Sequence, residues 1–287
     1  MPHEESKISG FSEMSLNDFN RLSNFISSNY GIKMPVEKKI MLECRLQKRM
    51  RHLKFSSYHD YCNFIFSKQG LVDEMHNMID VVSTNKTDFF REQKHFNYLN
   101  NNILPEFIGL KSSPKTLNLL SAGCSSGEEA YSLAMILNEF KERNPDFDFS
   151  ILGTDISNIV LNEAKNAIYS ANKVEIIPYN LKKKYLLKSK DKTLKKVRII
   201  PEIRAKVKFQ RLNLNEENYN VNKTFDIIFC RNTLIYFDHI VQYKVISKLC
   251  QILKTGGYLI IGHSETLFNM KLPLTQVSPT IFKKYEK

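Results

Sequence analysis

TLNLLSAGCSSGEEAYSLAM, residues 116–135, decides the fold. Its opening run, with Leu117, Leu119 and Leu120, is apolar and ends on Gly123, which reads as a buried strand closed by a turn. From Glu128 to Arg143 the pattern is helical. A glycine-bearing turn after a buried strand lets the backbone come close to a ligand, and the helix behind it offers free N–H groups. Gly123-Cys124-Ser125-Ser126-Gly127 has serine where the dinucleotide fingerprint has its middle glycine, so the turn alone is a weak nucleotide signal. Glu128 and Glu129 at the helix start argue against a pyrophosphate and suit a ligand carrying a cationic amino group. They equally complement the helix dipole, and either residue fits either role.

Downstream, apolar runs bounded by Gly, Asp or Asn alternate with helical stretches. FSILGTDI (Phe149–Ile156) predicts a second strand, followed by a helix to about Asn166. VKFQRLNL (Val207–Leu214), FDIIFCRN (Phe225–Asn232) and YLIIGHS (Tyr258–Ser264) predict further strands. A helix over Ile240–Leu253 leads into the last of these through a Lys254-Thr255-Gly256-Gly257 turn, and Leu274–Tyr285 predicts a closing antiparallel hairpin. Such alternation specifies an α/β fold with a doubly wound parallel sheet. Between about 170 and 206 it is interrupted by a Lys-rich insertion with the short apolar runs VEIIP and KKVRII, which predicts a small β-subdomain. Asp155, at the carboxyl end of the second strand and roughly 30 residues past the glycine turn, is placed to accept both ribose hydroxyls of an adenosyl ligand. Arg231-Asn232 falls at another strand end, where open α/β sheets bind ligands.

Upstream, the first eighty or so residues read as helices. Ser15 with Asp18 predicts an N-cap, and Phe19, Leu22 and Ile26 share the face behind it. Pro35 opens a second helix with Leu42, Leu46, Met50 and Leu53 as its apolar stripe; Arg45, Lys48, Arg49 and His52 cluster on an adjacent arc. A third helix starts near Ser56–Ser57, and a fourth runs from about Leu71 with Met75, Met78, Ile79 and Val82 inward. The domain plan is therefore 1–83 helical, 84–115 a linker that includes the soft stretch Lys111–Lys115, and 116–287 the α/β domain.

The formal charge of +12 is unevenly spread. Lys33–Lys54 carries eight Lys/Arg against two Glu, and Lys182–Arg211 carries thirteen against two acids, so the remainder is net acidic. Two basic blocks point to an anionic partner or to solvated lysine-rich surface. The five cysteines are scattered with no CxxC pair, so neither a disulfide framework nor a zinc site is indicated, and no metal is expected. The opening MPHEESKISGFSE is polar and acidic, unlike a secretory signal, and the expected compartment is the cytoplasm.

NKTDFFRE (Asn85–Glu92), GCSSGEEAYSLAM, GTDIS, RNTLIYF and GHSE, in this order and spacing, resemble the chemotaxis-receptor glutamate O-methyltransferases, the CheR family, over essentially the whole chain from about Leu16. The resemblance implies a Rossmann-like S-adenosylmethionine-dependent methyltransferase domain with a β-subdomain insertion behind an all-α receptor-recognition domain. It implies methyl transfer to glutamate carboxylates on the cytoplasmic helices of methyl-accepting chemotaxis receptors, leaving S-adenosylhomocysteine, with no nucleic acid and no membrane insertion. Residue by residue, Asn85, Thr87 and Arg91 match cofactor contacts from the linker side, with Arg91 on the methionine carboxylate. Glu129 matches the acid behind the glycine turn and Asp155 the ribose acid. Asn213, Leu214, Arg231 and Asn232 match contacts around the adenine and methionyl ends, and Tyr236, with Arg231, the catalytic position near the transferring methyl. Arg45, Lys48, Arg49 and Arg51 match the receptor-facing helix. The sequence departs from the family where Ala130 replaces a proline, a loss of rigidity and not of binding.

Methyl transfer to a carboxylate needs no strong base, since the acceptor, with a reference pKa of about 4.3, is already ionised. That agrees with a chain offering no evident Ser-His-Asp set; His263 reads as a structural hydrogen-bonder. Two other readings compete. A nucleic-acid methyltransferase would suit the charge, but Arg231-Asn232-Thr233-Leu234 stands where an Asn/Asp-Pro-Pro-aromatic motif belongs. A non-catalytic S-adenosylmethionine-binding adaptor is disfavoured by the retained positions.

Overall fold

The computed structural model describes residues 12–109 and 116–285, so the sequence readings at the extreme N-terminus and at Lys111–Lys115 lie outside the described residues. The chain forms two compact units that divide between Thr84 and Asn85.

The first unit is helical. Ser15 caps α1 (Leu16–Tyr30) by accepting from the Asp18 N–H at 3.0 Å, and Gly31, at φ +70°, closes it. Pro35 precedes a short 3₁₀ turn, Val36–Lys38, and α2 (Lys39–Leu53) begins only after it. Ser57 caps α3 (Tyr58–Ile65). The single fourth helix expected from Leu71 is two: α4 (Lys68–Asp73), capped by Ser67, and α5 (Met75–Val82). The break falls at Glu74, whose buried carboxylate is drawn to Arg49 of α2 and to the Tyr61 hydroxyl, 3.1 Å away. The core consists of the predicted stripes: Phe19, Leu22, Ile26, Leu42, Leu46, Met50, Met78 and Ile79 are buried.

The second unit opens with α6 (Gln93–Tyr98), which runs through a π-type turn into α7 (Leu104–Gly109). There follow β1 (Thr116–Ala122), α8 (Glu128–Arg143), β2 (Asp148–Asp155) and α9 (Asn158–Asn166). The insertion contributes β3 (Ile168–Ser170), α10 (Tyr179–Tyr185), β4 (Leu186–Lys188), β5 (Lys196–Ile199) and α11 (Pro201–Ala205). The chain returns through β6 (Val207–Arg211), β7 (Phe225–Cys230), α12 (His239–Ile252), β8 (Leu253–Ile261), β9 (Leu274–Ser278) and β10 (Ile281–Lys284). Strand β8 starts five residues before the predicted Tyr258 and carries the Lys254–Gly257 segment within it, absorbed by a register shift against β7.

The main sheet has seven strands in the order β6-β2-β1-β7-β8-β10-β9, parallel except that β10 runs antiparallel to both its neighbours. From β1 the chain winds outward to β2 and β6, then crosses back to β7. The carboxyl ends of β1 and β7 therefore flank the switch point, where such sheets open a crevice for a ligand. The insertion folds as a separate antiparallel sheet, β3-β5-β4. KKVRII supplies β5, whereas VEIIP is turn and not strand.

Candidate functional site

Three residues of the glycine turn take left-handed backbone: Gly123 at φ +79°, Ser125 at +49° and Gly127 at +94°. A Cβ on Gly123 would sit 2.3 Å from the Thr233 hydroxyl, so only glycine lets the β1 end meet the loop after β7. Ser125 lacks glycine's freedom and is held from two sides. Its N–H donates to Asp155 Oδ2 at 2.9 Å, and its hydroxyl donates to the Asn85 carbonyl at 2.8 Å. Asp155 Oδ1 accepts from the Ser157 N–H at 3.0 Å. Through these bonds Asp155, at the end of β2, anchors the turn.

The two acids behind the turn have different roles. Glu128 is fully buried; it accepts from the Ser126 hydroxyl and pairs with Lys173 of the insertion at 2.7 Å. Glu129 accepts from the Ser121 hydroxyl at 2.6 Å and lies 3.5 Å from Arg231. Burial pushes the Glu129 carboxyl above the ordinary range, with Arg231 pulling the other way. Of the two, Glu129 is the one at the crevice.

Arg231 is the hub. Its side chain is 1% exposed and packs on the faces of Phe96 and Phe229, between Glu129 and Glu92, the latter 3.3 Å away. It also donates to the Arg91 carbonyl. Its Nε and Nη1 are buried without a hydrogen-bond partner. Two guanidinium donors without a hydrogen-bond partner, flanked by the carboxylates of Glu92 and Glu129, with Asp155 at the β2 end, are groups that fit the carboxylate, ammonium and ribose of S-adenosylmethionine.

Glu92 and Glu265 were missing from the sequence reading. Glu92, at φ +61°, accepts from Asn232 Nδ2 at 3.1 Å. Burial alone would raise its carboxyl, but Arg231, Asn232 and His263 together hold it below the usual range. Glu265 accepts from the backbone N–H groups of Asn232 (3.0 Å), Leu234 (2.7 Å) and Gly262 (2.6 Å), tying the β7 and β8 ends into one loop pair. The motifs RNTLIYF and GHSE contain the signal, an acid inside GHSE, but two of its three partners, Asn232 and Leu234, lie about thirty residues upstream.

The other expected site residues are distributed as follows. Asn213 is buried, its Oδ1 accepting from the Asn215 N–H at 3.0 Å; Leu214 is buried, and its carbonyl accepts from Lys248 and Tyr219. Tyr236 is half-buried at the end of a 3₁₀ turn, Leu234–Tyr236. Asn85, Thr87 and Arg91 are half-buried on the segment entering the unit, and the Arg91 guanidinium donates to the Lys86 carbonyl at 3.1 Å. His263, half-exposed, makes an edge-on contact with His95. His95 is buried, and desolvation, with Arg231 nearby, pushes its imidazole down to about 4.

In the helical unit the predicted row of cations is divided. Arg45 donates to the Val82 and Ser83 carbonyls and to the Thr84 hydroxyl, and Arg49 grips buried Glu74 with both ends of its fork. Hydrogen bonding to Glu74 raises the Arg49 pKa. Arg45 and Arg49 thus brace α2 against α5, which corrects the expectation of a fixed outward row; Lys48 and Arg51 are exposed.

Two family descriptions match the chain: "CheR methyltransferase, SAM binding domain" over residues 85–282 and "CheR methyltransferase, all-alpha domain" over residues 17–83. Among curated relatives, a chemotaxis protein methyltransferase of Borreliella burgdorferi is 40% identical over 93% of this chain and 94% of its own. Chemotaxis protein methyltransferase 1 of Pseudomonas aeruginosa is 33% identical over 92% and 96%, and the Escherichia coli chemotaxis protein methyltransferase 31% identical over 92% and 89%.

Proposed function

This chain belongs to the CheR methyltransferase family, and from that premise we propose that it methylates glutamate side chains on the cytoplasmic helices of chemotaxis receptors. Its cofactor is S-adenosylmethionine, and the family supports this reading over a nucleic-acid methyltransferase. When bound, the cofactor supplies an electrophilic methyl group on a sulfonium. Asp155 accepts the ribose hydroxyls and Glu129 the methionine ammonium, while Arg231 and Arg91 face the methionine carboxylate. Asn85, Thr87, Asn213, Leu214 and Asn232 line the remaining contacts, and Tyr236 orients the acceptor carboxylate. With the acceptor already ionised, alignment and exclusion of water make up the catalytic work.

What carries this reading is the match of the chain to the CheR family, and the burial of the cysteines beside the crevice agrees with it. Cys124 and Cys230, flanking the crevice, are fully buried, and burial pushes both thiols well up, so neither is a thiolate able to attack a base or relay the methyl. The test is to incubate the protein with methyl-labelled cofactor and receptor, then treat the labelled receptor with alkali. Release of volatile methanol is the expected result, and label stable to base would overturn the ester. Among the described residues no helix is long and apolar enough to cross a membrane. We place the enzyme in the cytoplasm, where receptor methylation helices lie.

Recognition of the acidic receptor helix is assigned to the exposed part of α2. Complementary charge chiefly raises the on-rate and sets register, and it is screened beyond about 8 Å at physiological ionic strength. Lys48→Glu with Arg51→Glu is expected to raise receptor KM several-fold at low salt and to flatten its salt dependence, with cofactor affinity unchanged. Arg49→Ala is expected to act differently. By orphaning buried Glu74 it should cost the helical unit about 3 kcal/mol in urea unfolding. If the Lys48/Arg51 pair leaves KM untouched, the recognition surface lies elsewhere.

A further inference from the structure

Beside the cofactor crevice, Glu92, His95 and His263 bring a carboxylate oxygen and two imidazole nitrogens within 4.8 Å of one another. The proton count within this cluster is unusual. In the Nε2–H tautomer His95 donates to the Thr280 hydroxyl, 2.7 Å away, which in turn donates to the Pro279 carbonyl at 2.6 Å. With Nε2–H spent there, Nδ1 of the neutral ring presents a lone pair. That lone pair faces Glu92 Oε2 at 3.4 Å, and both atoms are buried without a hydrogen-bond partner. Arg231 already pairs with this oxygen at 3.3 Å, yet on the His95 side two acceptors face one another away from water and repel unless a cation lies between them. His263, half-exposed, has its Nε2 4.0 Å from the same oxygen.

We propose that Glu92 Oε2, His95 Nδ1 and His263 Nε2 form a binding site for a divalent transition-metal ion of the zinc class, with solvent as the fourth ligand. Two imidazoles and a carboxylate suit zinc, and bonds of about 2.0–2.1 Å set neighbouring donors roughly 3.3 Å apart. The His95–Glu92 pair is already at that spacing. His263, 4.0 Å from the Glu92 oxygen and within 4.8 Å of the His95 nitrogen, must swing inward by about 1–1.5 Å to reach that spacing, which its exposure permits, and the same exposure gives the ion its entry path. Arg231 does not forbid the charge, because Glu92 and Glu129 flank that one guanidinium with two carboxylates. The hydrogen bond from His95 Nε2 to Thr280 orients the ring, as outer partners do for metal-bound histidines. The donors were invisible to cysteine spacing, being an i, i+3 pair and a histidine from the far end of the chain. Sharing Glu92 with Arg231 makes the ion an antagonist of the crevice: occupancy draws the carboxylate away from the guanidinium.

The site does not depend on the acceptor being glutamate, and it is tested by binding itself. Untagged, chelator-treated full-length protein is titrated with zinc by calorimetry and with cobalt by visible absorption. One equivalent of zinc is expected, with a cobalt d–d spectrum of a four- or five-coordinate site. His263→Ala, a change at a half-exposed side chain, should weaken zinc binding about 100-fold and abolish the cobalt spectrum. His239→Ala, at an exposed histidine on α12, should change neither. Zinc should also slow methyl transfer by the wild type and not by His263→Ala. No bound equivalent in the wild type, or equal loss from the two histidine variants, would overturn the proposal.

Discussion

Arg231→Met is expected to lower the stability of the α/β unit by about 3–5 kcal/mol and to abolish measurable methyl transfer. Methionine fills much of the arginine's volume against Phe96 and Phe229, so the loss is one of charge more than of packing. What remains is Glu92 and Glu129, mostly buried and now without the cation between them. Breaking a buried ion cluster by removing one partner costs more than the cluster contributes, because the desolvated charge left behind has no compensation. Two consequences separate this account from simple cavity formation. Adding Glu129→Gln to Arg231→Met should restore part of the stability, since the orphaned charge goes with it. Arg231→Lys should retain more stability than methionine yet little activity, because a point charge cannot bridge Glu92, Glu129 and the Arg91 carbonyl as a planar fork does. Urea unfolding of the three variants is the measurement. If Glu129→Gln makes Arg231→Met worse, the ion cluster is not what holds this corner together.

The second large effect is on the cofactor. Asp155→Ala is expected to weaken S-adenosylmethionine binding by about 1.5–3 kcal/mol, the range for hydrogen bonds to a charged acceptor, or about 10- to 150-fold in Kd. Part of that loss arises indirectly, because Asp155 also holds the Ser125 N–H and with it the left-handed turn. Asp155→Asn keeps one acceptor oxygen and should fall between alanine and wild type. Calorimetry on folded variants decides the matter, and an unchanged Kd for alanine would remove Asp155 from the site.

Local periodicity proved a good guide wherever partners are close along the chain. Helix α8 was expected over Glu128–Arg143 and lies there, and the Ser15 cap lies one turn from its partner. Apolar runs bounded by Gly, Asp or Asn and alternating with helices led to the parallel sheet, and the order of five motifs led to the family. The errors share a cause. The fourth helix divides at Glu74, whose carboxylate is held by Arg49, 25 residues back. Helical spacing set Arg45 and Arg49 on one arc, but a helical wheel says only that residues share an arc, not which neighbour the arc meets.

The sequence by itself determined the fold class and the cofactor, because hydrophobic period, turn residues and motif order act over a few residues each. Only the tertiary structure gave Glu128 and Glu129 different surroundings, by bringing Lys173 to the first from 45 residues away. It alone brought Glu92 and Glu265 to the RNTL loop, from 140 and about 30 residues off, and set His263 beside His95. Buried charges require partners wherever the chain happens to supply them, and that supply is fixed by how the sheet and its loops close, a property that no local pattern carries.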